Sequence, residues 1–322
     1  MRYYIENEQL KVEIDSLGAE LISIVDKDTR QEYMWEADPV FWGKTSPILF
    51  PFIGKLEGGG YHYQGQRFYA KKHGFARDME FAVAECMTDS IVFYIESNAK
   101  TLEIYPFSFR LEVRYSLKER SVTESLRVYN YGKETMYFSI GGHPAFACPL
   151  KAGDKGTEQR RTDCFIKLYQ AADAGQNEGS CVRHKSTETL KPYKGDTVEI
   201  MEIGVPDGFV TGMSLAVPVK NALIPITKTL FDQDALCMEK QGIAAVGLCD
   251  AQGQEYVRLE ADCPVWGIWS VPDSAGSYVC LEPWWGLCDN RGYEGSLEAR
   301  PYTNSLRAGD SWEQSYRIVL HG

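Results

Sequence analysis

Apolar residues in this chain recur at every second position, and that period excludes most architectures. EQLKVEID (residues 8–15) alternates apolar with polar side chains, and ELISIVDKDTRQEYMW predicts two strands around an Asp-rich turn. The pattern returns in YHYQGQRFYA around Gly65 and in SIVFYIES, FRLEVRYSL and ESLRVYNYGKETMYFSI, then in CFIKLY, SYVCLE and SYRIVL. All are rich in β-branched or aromatic residues, which fit a pleated, half-buried surface. Successive side chains of a strand point to opposite faces, so each segment buries one face only if a second layer covers it. Convincing amphipathic helices are scarce, which disfavours alternating βα units and a doubly wound sheet. The expected fold is all-β, a large antiparallel β-sandwich. Residues 1–322 are expected to form one domain, because no repeat, low-complexity tract or long linker divides them. The polar stretch from Lys151 to Lys194 is expected to carry long loops on one edge.

Composition narrows the partners. The chain has 322 residues, 44% hydrophobic and 25% charged, which suits a globular protein with a sizeable core. A formal net charge of −11 argues against nucleic acid, whose phosphates need clustered Lys and Arg. The start, MRYYIENEQLKVEI, lacks a basic segment followed by an apolar one, and no apolar run is long enough to span a bilayer. No membrane partner and a cytoplasmic location are therefore expected. Nine cysteines without a CxxC pair fit reduced thiols, and five histidines without HExxH or zinc-finger spacing give no reason to expect a metal. EGGGYHYQG (57–65) is glycine-rich but lacks the GKS or GKT ending of a phosphate loop and reads as a turn into a hairpin.

Four segments concentrate polar chemistry among apolar neighbours. FSIGGHPAFACPL (138–150) sets His143 between two glycines and a proline. That is either a tight turn at a strand end or a backbone shaped to aim an imidazole at a ligand. KTSPILFPFIGKLEGGG brings Lys55 to the end of an apolar run, and KKHGFARD follows with His73 and Arg77. YVCLEPWWGLCDN places Glu282 at the predicted end of a strand beside two tryptophans, where desolvation raises a carboxyl toward the range useful for proton transfer. LFDQDALCMEK carries Asp232 and Asp234, each a turn residue or a hydroxyl ligand. Together, two histidines, a glutamate and aromatic faces suit a sugar, whose C–H surfaces pack on rings while fixed polar groups hold its hydroxyls.

SPILFPFIGKL, KKHGFARD, FSIGGHPAFACPL and CLEPWWGLCD, in that order, resemble the aldose 1-epimerase (galactose mutarotase) family, and within it the LacX-like branch. The resemblance runs from GAELISI to LRAGDSW. It implies a galactose mutarotase-like supersandwich, no cofactor, a small-molecule sugar substrate, a monomer or homodimer, and an isomerase interconverting the α and β anomers of a free hexose. It also implies roles: Glu282 as general base, His143 as acid at the ring oxygen, and His73 and Asp234, with Asp232 as rival, as sugar ligands. Lys55 and Trp284 join the sugar-binding set. Gly54-Lys55-Leu56 stands where family members carry Asn-Arg-Ile, and a lysine lacks the two-pronged contact of a guanidinium. Arg77 in HGFAR resembles the hexose-6-phosphate 1-epimerase branch, where arginine holds phosphate; otherwise it pairs structurally, with Asp78 the neighbouring carboxylate. A carbohydrate-binding or regulatory module without turnover, and a glycosidase using Glu282 and Asp234 as its carboxylate pair, complete the alternatives.

Overall fold

The computed structural model describes residues 1–150, 160–172, 190–239, 241–272 and 276–321. Two large antiparallel sheets face each other, as the alternating pattern requires. The ten-stranded sheet runs, in spatial order, Leu190–Pro192, Phe165–Ala171, Ile243–Cys249, Glu255–Ala261, Ser311–Leu320, Ser121–Asn130, Phe109–Lys118, Ser90–Glu96 and Ala82–Cys86, with Leu223–Pro225 also paired to Phe165–Ala171. The eight-stranded sheet runs Val210–Pro218, Thr197–Ile203, Leu236–Glu239, Val265–Trp269, Tyr278–Trp285, Ile140–Gly142 and Ile48–Leu49. Its eighth strand, Ala145–Ala147, pairs with Tyr278–Trp285 beside Ile140–Gly142. The protein is an all-β sandwich. Phe109, Leu111, Val113 and Tyr115 point inward from one strand while their neighbours face out, and they join a core that includes Phe50, Phe138, Ile268 and Leu281 from the other side. Among the described residues the one α-helix, Ala99–Ile104, starts on an Asn98 capping box, and no helix is long and apolar enough to cross a membrane.

Two sequence expectations need correction. ELISIVDKDTRQEYMW forms one strand, Glu20–Asp26, and its return leg makes only isolated bridges. The Glu32 carboxylate accepts the Ile24 and Met34 N–H groups at 2.9 and 2.8 Å, so a side chain replaces part of the ladder. The strand of SYVCLE continues through Pro283 to Trp285. Every one of its residues is buried, which marks a central strand covered on both faces. The Lys151–Lys194 loops fall largely outside the described residues.

A buried carboxyl lies between the sheets. Glu124 is fully buried, accepts the Tyr316 hydroxyl, and is pushed by that burial from 4.5 to about 7. The folded value is the higher one, so the folded chain binds more protons than the unfolded chain between these limits. Stability should therefore be greatest below about pH 4.5 as far as this group is concerned, and fall by roughly 3 kcal/mol as pH rises through 7. Denaturant unfolding of the native chain and Glu124→Gln at pH 5 and pH 8 checks this: the variant should lose most of the difference, and an unchanged difference would place its origin elsewhere.

Candidate active site

The central strand of the smaller sheet fixes the site through its register. Gly141 pairs with Trp284 and Ala145 with Cys280, so His143 falls directly opposite Glu282. Leu281 donates its N–H to the Pro144 carbonyl at 3.0 Å, which makes His143 and Glu282 a non-hydrogen-bonded pair. Such pairs have Cα atoms only about 4.5 Å apart and bring side chains closest. Pro144 lacks the N–H that would return to Leu281, and Pro283 lacks the one that would reach Gly142. The seam beside the pair is therefore short of two ladder bonds. Across it, His143 Nε2 lies 3.2 Å from Glu282 Oε2.

The carboxylate is held from its own strand. Trp284 lies two residues on, on the same face, and its indole Nε1–H donates to Glu282 Oε2 at 3.1 Å. The ring lies flat only because Gly267 is beneath it: a Cβ there would come within 2.5 Å of the indole. Trp284 is 6% exposed and packs among Leu49, Ile53 and Val265. Its N–H serves the carboxylate, in the residue that the sequence places in the sugar-binding set. The aromatic faces around the imidazole are Trp42, stacked on His143 at 4.9 Å, and Trp269, edge-on at 6.0 Å. Neither stood out in the sequence, where Trp42 sits in an unpatterned segment.

His73 joins them from a turn. His73 and Gly74 both have positive φ, and a Cβ on Gly74 would meet the Phe50 carbonyl at 2.2 Å, so the turn is fastened to the Ile48–Gly54 segment. The Gly54 N–H donates to His73 Nδ1 at 3.1 Å, which leaves the neutral ring its proton on Nε2. The ring meets His143 edge-on at 5.8 Å. Asp234 is half-buried, its Oδ1 accepts the Ala235 N–H, and its negative charge acts on Glu282; Asp232 is exposed. Lys55 reaches instead toward the Pro206 carbonyl, 3.5 Å away. The cation whose charge acts on His73, His143 and Glu282 is Lys72, adjacent to His73 in KKHGF and not singled out by the sequence. Arg77 donates to the Lys72 carbonyl at 3.1 Å and makes no ion pair with Asp78.

Burial governs the protonation of the pair. It pushes His143 down to about 3, with Lys72 as the next cause, and drives Glu282 well above the carboxylate range against the opposing Trp284 hydrogen bond and Lys72 charge. Burial thus disfavours the charged form of both groups in contact. An arrangement of this kind can take a proton from one atom of a ligand while giving one to a neighbouring atom.

The glycines before His143 act by size. Neither Gly141 nor Gly142 has positive φ. A Cβ on Gly141 would sit 2.8 Å from the Pro283 carbonyl, and one on Gly142 would sit 2.5 Å from the Tyr316 hydroxyl of the opposite sheet. Gly142→Val should therefore overpack the sandwich and cost about 2 kcal/mol or more. Thermal unfolding checks this: a midpoint equal to that of the native chain would mean that Tyr316 yields without cost.

Fold and site together define a β-sandwich protein with a buried imidazole–carboxyl pair walled by tryptophan. Residues 1–173 match the aldose 1-epimerase family model, and the chain belongs to that family. It is 29% identical over 333 residues, covering 99% of both chains, to the chromosomal protein LacX of Lactococcus lactis subsp. lactis. Among solved structures it resembles a galactose mutarotase related enzyme from Lactobacillus acidophilus, at 32% identity over 100% of this chain and 98% of that one, with a TM-score of 0.83. A galactose mutarotase-like protein from Lactobacillus casei ATCC 334 is 28% identical over the full length of both chains, with a TM-score of 0.85.

Proposed function

We propose that this protein is an aldose 1-epimerase that interconverts the α and β anomers of a free hexose. The observation that carries the reading is the cross-strand pairing of His143 with Glu282. The two oxygens to be served are both bonded to C1 of the sugar, so acid and base must stand side by side. With a sugar bound, the one proton that the pair shares rests on His143 Nε2, so Glu282 as the carboxylate takes the proton of the anomeric hydroxyl while His143 delivers its own to the ring oxygen. The C1–O5 bond breaks, giving the open aldehyde. Rotation about C1–C2 turns its other face, and reclosure returns each proton along the reverse path. Proton count is conserved, because the pair begins and ends with one shared proton. His73 Nε2–H and Asp234 are the donor and acceptor for hydroxyls, and Trp42 and Trp269 supply apolar faces for C–H groups.

Lys72 and Arg77, whose charges both act on His143, favour a second reading in which the hexose carries a 6-phosphate. Polarimetry on freshly dissolved α-glucose, α-galactose and their 6-phosphates tests both. Faster approach to equilibrium with the free sugars is the expected result. Acceleration confined to the phosphates would select the second reading, and acceleration of none would overturn both.

A further inference from the structure

We propose that Cys280 completes, with His143 and Glu282, a three-ligand site for a thiophilic divalent cation such as zinc or cadmium. Cys280 lies two residues before Glu282 on one strand, so the two side chains share a face, and the register sets the small residue Ala145 opposite it. One ligand atom from each of the three residues lies within 4.8 Å of the others, and all three residues are buried. Tetrahedral zinc with ordinary Zn–S, Zn–N and Zn–O bonds needs ligand atoms about 3.3 to 3.6 Å apart. His143 Nε2 and Glu282 Oε2, at 3.2 Å, are already close to that spacing, and the thiol sulfur lies within 4.8 Å of a ligand atom on each residue. A thiol, an imidazole and one carboxylate suit zinc or cadmium and not magnesium or calcium, which prefer oxygen alone. Three protein ligands leave a fourth position for water. The His143 side chain keeps 9% exposure, so the cluster meets solvent at the imidazole.

On binding, the Cys280 S–H proton and the proton shared by the pair pass to water. The sulfur, Nε2 and carboxylate lone pairs are donated to the metal, and no electron changes hands. Those nitrogen and carboxylate lone pairs are the ones that exchange protons with a sugar. Metal and turnover therefore exclude each other, a consequence that rests on the epimerase reading, whereas the metal site does not.

Cadmium chloride is the direct probe, because its thiolate bond gives an ultraviolet charge-transfer band. The titration uses EDTA-treated full-length protein carrying Cys86→Ser and Cys181→Ser, since Cys86 is exposed and Cys181 lies outside the described residues. A saturable band at one equivalent is expected. Cys280→Ser should abolish the band and weaken zinc binding, followed by calorimetry, by about a hundredfold or more. Glu282→Gln removes a ligand without touching the thiol and should weaken cadmium binding to a similar degree, which keeps the test valid should Cys280→Ser fail to fold. Absence of a saturable band, or unaltered binding in either folded variant, overturns the site. Saturable cadmium binding that leaves an active epimerase unimpaired would overturn the exclusion. Binding by a protein inactive toward every sugar would retain the site and discard the epimerase reading.

Discussion

Glu282→Gln should lower the rate of anomerisation by about a hundredfold or more while leaving the fold intact. Glutamine has the same shape and still offers an oxygen to the Trp284 indole, so the 3.1 Å support of the side chain survives; only the exchangeable proton is lost. His143→Asn should cost about as much, since it removes the partner at the other oxygen. The two groups work as one proton-exchanging unit, so the double variant should fall little further than the worse single variant. Polarimetry at matched folded concentration, checked by circular dichroism, measures all three. A near-native rate in either folded single variant would reject the assignment. Fully additive losses would mean that the two residues act in separate steps.

Much of the fold is legible in the sequence. Period-two alternation in FRLEVRYSL and SYRIVL reports a local property, one face in and one face out, and those segments are strands in the ten-stranded sheet. Alternation fails where a strand is covered on both faces. YVCLEPWW is buried throughout, so its continuation past Pro283 was hidden behind a residue that usually ends a strand. The candidate residues that stand in distinctive motifs, His73, His143 and Glu282, lie together. The partners missed are those whose role depends on register. Nothing local in Gly267 says that an indole lies on it, or in Cys280 that an imidazole is near. The glycines of FSIGGHPAF suggest either a turn or close approach of a ligand or backbone, but the sequence does not name the atoms that require them, which lie far along the chain, Tyr316 above all. Lys55 and Lys72 show the same limit, since a sequence orders two lysines along the chain without saying which way either points.

Arg300→Met should destabilise the fold by about 3 to 5 kcal/mol. Arg300 Nε donates to Asp289 Oδ1 at 2.6 Å, and the two side chains are 1% and 2% exposed. Asp289 is the knot between two of the ordered motifs. Its Oδ2 accepts the Glu57 N–H at 2.8 Å, its own N–H donates to the Lys55 carbonyl at 3.2 Å, and its carbonyl accepts the Val210 N–H. The guanidinium also lies over the Phe52 ring, 5.4 Å from its centre. Methionine fills much of the volume but leaves a carboxylate in the interior with no counter-charge, and that desolvated charge is the main cost. Asp289→Asn in the Arg300→Met background should therefore recover a large part of the loss, because the amide oxygen still accepts from Glu57 while no charge remains. Urea unfolding of the native chain, Arg300→Met and the double variant measures the loss and its recovery. A loss below about 1 kcal/mol for Arg300→Met would mean that water reaches Asp289 and the ion pair is worth no more than one at the surface. A large loss without recovery in the double variant would instead assign the cost to the packing of Arg300 on Phe52, and move the bond between the two motifs from charge to contact.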